Sequence, residues 1–174
     1  AKTVMANFTP VYNLTVIKSV SAAGTVTSGD GTINCGSTCS ANYNPETLVT
    51  LSALPNSGYV FTGWMGGGCS GTGSCTVSMN ASMSVTATFA TAVNKLTVTK
   101  NISIAGTVVS SDNLINCGST CSVNYETGKT VALTASAKNR YRFSGWSGAC
   151  SGTGVCTVAM TEAKSAKANF YRYK

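Results

Sequence analysis

The residues of this chain best placed to do chemistry are its eight cysteines, which come in two spacings, each used twice. C-x3-C occurs at Cys35 and Cys39 and again at Cys117 and Cys121; C-x5-C occurs at Cys69 and Cys75 and again at Cys150 and Cys156. Thiols can act as nucleophiles, bind metal or oxidise to disulfides. The first use is disfavoured because the chain has no histidine to activate a thiolate. The same absence removes the Ser-His-Asp triad, histidine-ligated zinc and the C-x-x-C-H haem motif. A four-cysteine zinc site could form if two loops met, but zinc ribbons use C-x2-C knuckles, and spacings of three and five fit poorly. Disulfides are the reading that remains, with no metal or cofactor, and they point to an oxidising, extracellular setting. Four cysteines admit three pairings. Glycine and small polar residues in both short loops favour local clips, whereas chain entropy favours crossed bridges, at about 4 kcal/mol against about 2 kcal/mol for a local ring. The sequence leaves that choice open.

The other chemistry-bearing residues offer less. Only Asp30 and Asp112 recur in register among the five acids, too few for the paired carboxylates of glycoside hydrolysis. Their Ser-x-Asp context reads as a turn rather than a calcium loop. Trp64 and Trp146 follow glycines beside the C-x5-C loops, where an indole can cover a disulfide and a core edge or offer a sugar a stacking platform; the covering role is favoured. Tyr43 and Tyr125 read as packing residues. No catalytic residue is assigned, and the expectation is that the protein is not an enzyme.

Net charge is +7, and it is unevenly placed. The first 94 positions hold Lys2 and Lys18 against Asp30 and Glu46, so the excess belongs wholly to the remainder. There Lys138, Arg140 and Arg142 alternate with Asn139, Tyr141 and Phe143, which predicts that at least Arg140 and Arg142 project from one strand face. Lys164, Lys167, Arg172 and Lys174 follow near the end. These seven form a candidate patch for anionic polysaccharide or another envelope polymer. Nucleic acid is a weaker candidate, and solubility alone is the plainest role of the charges.

The elements that must position these residues form a repeat. Leu14-Thr-Val returns as Leu96-Thr-Val, Ile33-Asn-Cys-Gly-Ser-Thr-Cys39 as Ile115-Asn-Cys-Gly-Ser-Thr-Cys121, and Tyr59-x-Phe-x-Gly-Trp64 as Tyr141-x-Phe-x-Gly-Trp146. Cys69-Ser-Gly-Thr-Gly-Ser-Cys75 returns as Cys150-Ser-Gly-Thr-Gly-Val-Cys156 after one extra residue in the Gly66–Gly68 stretch. Apolar residues alternate, as at Val49, Leu51 and Ala53 or Val85, Ala87 and Phe89, and glycines and prolines intervene, giving six or seven short strands per unit. The best helical candidate is one turn near Met79–Ser82 or Met160–Ala163.

The expected organisation is residues 1–8 as the closing strand of a preceding repeat, 9–90 as one module and 91–174 as a second, abutting as an elongated rod. Val4-Met-Ala-Asn-Phe8 aligns with Val85–Phe89 and Ala166–Phe170, so three closing segments accompany two bodies. Either the chain was cut from a longer array, or each module borrows a strand from a neighbouring repeat of its own or an adjacent chain. No apolar run approaches the roughly 20 residues of a membrane helix.

With these motifs the chain resembles the divergent internalin-B-type repeats, bacterial extracellular domains found in tandem. Leu-Thr-Val, Ile33–Cys39, Phe61-Thr-Gly-Trp64, Cys69–Met79 and Ser84–Phe89 carry the likeness jointly. The resemblance implies an all-β module related to β-grasp folds, serving as a spacer or adhesive element of a secreted or surface-anchored protein, and it implies no enzyme.

Overall fold

The computed structural model describes residues 10–174 together with Thr3 and Met5. The closing strand expected at 1–8 therefore falls outside the described residues, apart from those two. The chain divides into two compact units, Ala1–Thr91 and Ala92–Lys174.

Seven strands build the first unit: β1 (Tyr12–Lys18), β2 (Gly24–Ser28), β3 (Ser40–Tyr43), β4 (Leu48–Pro55), β5 (Tyr59–Met65), β6 (Cys75–Ser78) and β7 (Met83–Thr91). The second repeats them as β8 (Val93–Lys100), β9 (Gly106–Ser110), β10 (Ser122–Glu126), β11 (Thr130–Ala137), β12 (Tyr141–Gly148), β13 (Cys156–Ala159) and β14 (Lys164–Arg172). Each unit has two sheets. A four-stranded sheet runs β3-β1-β7-β5, or β10-β8-β14-β12, and a three-stranded sheet runs β2-β4-β6, or β9-β11-β13. Neighbours are antiparallel except at the centre of the larger sheet, where the first and last strands of the unit run parallel, with Val16 opposite Val85 and Val98 opposite Ala166. A 3-10 turn at Ser21–Ala23 is the helical element among the described residues. The turns expected near Met79 and Met160 are instead irregular chain, held by the full burial of both methionines.

Alternation places the core. Leu14 and Val16 of β1, Val26 of β2, Val49 and Leu51 of β4, Val77 of β6 and Val85, Ala87 and Phe89 of β7 are buried in one cluster supplied by both sheets, and the second unit repeats it around Leu96, Val108, Leu133 and Phe170. Strict alternation would put Trp64 opposite Phe61, and the structure corrects this. A bulge between Phe61 and Gly63 gives β5 one extra residue against β7. It turns Trp64 inward, so that its ring meets Phe61 edge-on at 4.9 Å between centres; Trp146 and Phe143 do the same at 5.1 Å. Glycine is required at the bulge because Gly63 and Gly145 have φ of 145° and 134°, and a Cβ on Gly145 would sit 2.9 Å from the Gly152 carbonyl oxygen.

The closing segments belong to their own units. β14 lies between β8 and β12 and has both edges filled, so residues 164–172 are not a free strand awaiting a partner.

Candidate functional site

The cysteines pair locally: Cys35 with Cys39, Cys69 with Cys75, Cys117 with Cys121 and Cys150 with Cys156. With every thiol bonded, neither unit retains a thiolate set for zinc. Each bridge stands where the chain passes from one sheet to the other. Cys35 donates its N–H to Val26 of β2, while Cys39 accepts from the N–H of Val16 of β1, both at 2.7 Å. Cys117 and Cys121 do the same with Val108 and Val98. The second clip spans the passage from β5 to β6, and there the indole N–H of Trp64 donates to the Gly73 carbonyl at 2.6 Å, matched by Trp146 and Gly154 at 2.8 Å. Both indoles are 5% exposed, which leaves no ring face for a sugar and supports their role as covers.

Asp30 and Asp112 close the loop after β2 and β9. In the first unit the Ser28 hydroxyl, the Thr32 N–H and the Tyr43 hydroxyl all donate to one Asp30 oxygen. Ser110, Leu114 and Tyr125 do so for Asp112, and Lys129 pairs with its second oxygen at 3.1 Å. The donation from Ser28 leads in holding the Asp30 carboxyl below its ordinary value. For Asp112, partial burial pushes upward, but the donors from Ser110, Leu114, Lys129 and Tyr125 outweigh it and hold the carboxyl at about 2. Both tyrosine hydroxyls are pushed up, chiefly by burial. A carboxylate so fully engaged keeps its charge at neutral pH and has no proton to give: it locks a turn.

The structure divides the seven patch residues. Lys164 is paired with Glu162, and Lys167 lies opposite Ser147, five positions along β14 from Arg172, which faces Tyr141. Lys138 is an exposed residue whose backbone N–H bonds the Ala105 carbonyl. The remaining four gather. Arg140, Arg172 and Lys174 line an open concavity of about 460 Å3 together with Tyr173, and the Arg142 guanidinium stands 5.0 Å above the Tyr173 ring. Arg140 is not on the strand face expected of it. It sits in the turn before β12 with φ of 69°, and its carbonyl accepts the Tyr173 N–H at 3.2 Å. Tyr171, 47% exposed and paired with Arg142 across the ladder, completes the surface. Sequence reasoning missed the two tyrosines as partners of the arginines; the mixture of rings and cations over Phe170–Lys174 was the signal that held them.

The family described as the divergent InlB B-repeat domain matches residues 15–93 and again 96–174. No curated protein matches the chain. Among solved structures it is similar to the Bacillus anthracis TIE protein, at 8% identity and a TM-score of 0.47 over 92% of this chain and 33% of that one, so it spans about a third of that protein's length. It is also similar to the major pilin protein (T-13) from Streptococcus pyogenes, at 11% identity and a TM-score of 0.35 over 95% of this chain and 98% of that one.

Proposed function

The chain belongs to the divergent InlB B-repeat domain family, and from that membership and the strand order we propose that it is a non-catalytic, load-bearing spacer of a secreted or surface-anchored bacterial protein. One observation carries the reading. In each unit the first and last strands are parallel neighbours, β1 with β7 and β8 with β14. The chain thus enters one end of that pair and leaves at the other. Tension on the chain acts along the strands and loads the evenly spaced rungs of a parallel ladder together, instead of peeling them off in turn. What the two copies share agrees with this use: the cysteines are spent on clips, the tryptophans on closing loops, and the aspartates on locking turns. Disulfides also suit an oxidising, extracellular compartment.

Force extension of single molecules tests it. Pulled from its two ends, the chain is expected to open in two events, each releasing about 200–250 Å, as follows from roughly 3.5 Å per residue over the part of a unit not closed by disulfides. Pulled through handles at Tyr59 and Thr91, which face each other across the β5–β7 ladder, the first unit should yield at clearly lower force. Equal forces in the two geometries would remove the basis of the proposal.

A further inference from the structure

We propose that the concavity between the Arg140 turn and the end of β14 is a binding site for an anionic sugar of an extracellular polymer, one bearing a carboxylate, sulfate or phosphate group. The two units share one backbone plan, so the first serves as an internal control. The positions aligned with Arg140, Arg142, Tyr171, Arg172, Tyr173 and Lys174 are Gly58, Val60, Ala90, Thr91, Ala92 and Val93. Every one is uncharged and none is aromatic. The fold therefore needs neither rings nor cations there.

Arg140 strengthens the point. Its φ of 69° belongs to the left-handed region, where Gly58 has 83°, and a side chain is disfavoured in that region. A cation has been accepted where the backbone prefers glycine, and strain of this kind gathers at functional positions. Of the unit's other basic side chains, Lys100 donates to the Gly106 carbonyl, Lys129 to Asp112 and Lys164 to Glu162. Those two ion pairs are the ones found among the described residues, so Arg140, Arg142, Arg172 and Lys174 have no carboxylate partner. Guanidinium forks match planar or tetrahedral oxyanions, and exposed tyrosine rings stack on sugar faces. The Arg142–Tyr173 contact holds one cation in place before any ligand arrives, which lowers the ordering cost of binding. A volume near 460 Å3 suits one or two sugar units. Nucleic acid would draw on a longer basic track, and Lys167 lies well away from the cluster.

Calorimetric titration of the full chain with polygalacturonate, dextran sulfate and a phosphomannan, with uncharged dextran as control, tests the site and identifies the anion. The variant R140G/R142V/R172T/K174V carries the first unit's residues. A charge-matched control, Lys95, Lys129, Lys164 and Lys167 each changed to Gln, removes as many cations at the far end of the unit. At least one charged polymer should bind, weakening about tenfold to a hundredfold between 50 and 200 mM salt. The site variant should lose at least tenfold while the control stays within about threefold, and near-ultraviolet dichroism of the tryptophans should show both folded. The proposal is overturned by no binding to any of the three polymers, by equal losses in the two variants, or by an oligonucleotide of similar length binding as tightly as the best polymer.

Discussion

Arg140 holds at φ 69° the turn position that Gly58 holds at 83° in the sister unit. The same exchange occurs twice more. Glu46, at 64°, aligns with Gly128, at 88°, and Asn113, at 61°, aligns with Gly31, at 74°. A left-handed residue with a Cβ costs about 1–2 kcal/mol, while glycine's extra freedom in the unfolded chain returns about 0.4–1 kcal/mol of that. R140G and E46G should each stabilise the protein by about 0.5–1 kcal/mol, with a higher urea midpoint and an unchanged slope. Asn113→Gly should gain less, because asparagine tolerates this region. A lower midpoint for R140G would show that its side chain contributes to stability, against the argument that it is held there for binding.

Trp146 closes its loop through the bond to Gly154 and packs edge-on against Phe143. Trp146→Phe leaves a carbonyl unpaired and a gap beside the ring, so a loss of about 2–3 kcal/mol is expected. Affinity for any of the charged polymers should stay the same, since the indole is 5% exposed. An affinity loss in a variant shown to be folded would return the tryptophan to the list of ligand contacts.

Acid should act through the two locked turns. A carboxyl held at about 2 in the fold, against about 3.9 when unfolded, favours the folded state wherever it is ionised. Its contribution is complete above about pH 4 and is lost as pH falls toward 2. Partial exposure discounts the full linkage, leaving about 1–2 kcal/mol for Asp112. Asp30 is shifted in the same direction. Urea midpoints at pH 2.5, 4 and 7 should fall on the acid side in the parent protein and fall less in D112N. Parallel curves for parent and variant would show that other groups set the acid limit.

Much of the architecture was legible because the unit is written twice. Alternation at Val49–Ala53 and Val85–Phe89 marked strands and their buried faces, and the recurring cysteine, tryptophan and aspartate motifs marked the closures. The misses share a cause, which is that strand pairing is non-local. Nothing local in Tyr59–Trp64 says that β5 carries a bulge against β7, so strict alternation by itself would set Trp64 on the face opposite Phe61. Arg140 followed the alternation of its neighbours, yet a tight turn takes it off the strand. Its aligned residue, Gly58, already marked that turn. Whether the cysteines pair locally depends on where β1, β2 and β6 lie in space, and spacing does not carry that.

Cys35 and Cys39 are four residues apart, and a ring that small restrains the unfolded chain by only about 2 kcal/mol. Their backbones say more than the ring size. One bonds to β2 and the other to β1, so the clip fixes the distance between two strands that belong to different sheets. Intact mass after alkylation of the unreduced, denatured protein should show no adducts. C117S/C121S should cost more than the roughly 2 kcal/mol of chain entropy, because the sheet-to-sheet bonds at Val98 and Val108 lose their common anchor. Hydrogen exchange separates the two contributions. An effect confined to the unfolded chain speeds every globally exchanging amide alike, whereas a lost staple opens Val98 and Cys117 first and leaves Val131 at the centre of the smaller sheet protected. Uniform acceleration across the second unit would reduce the clip to an entropic ring.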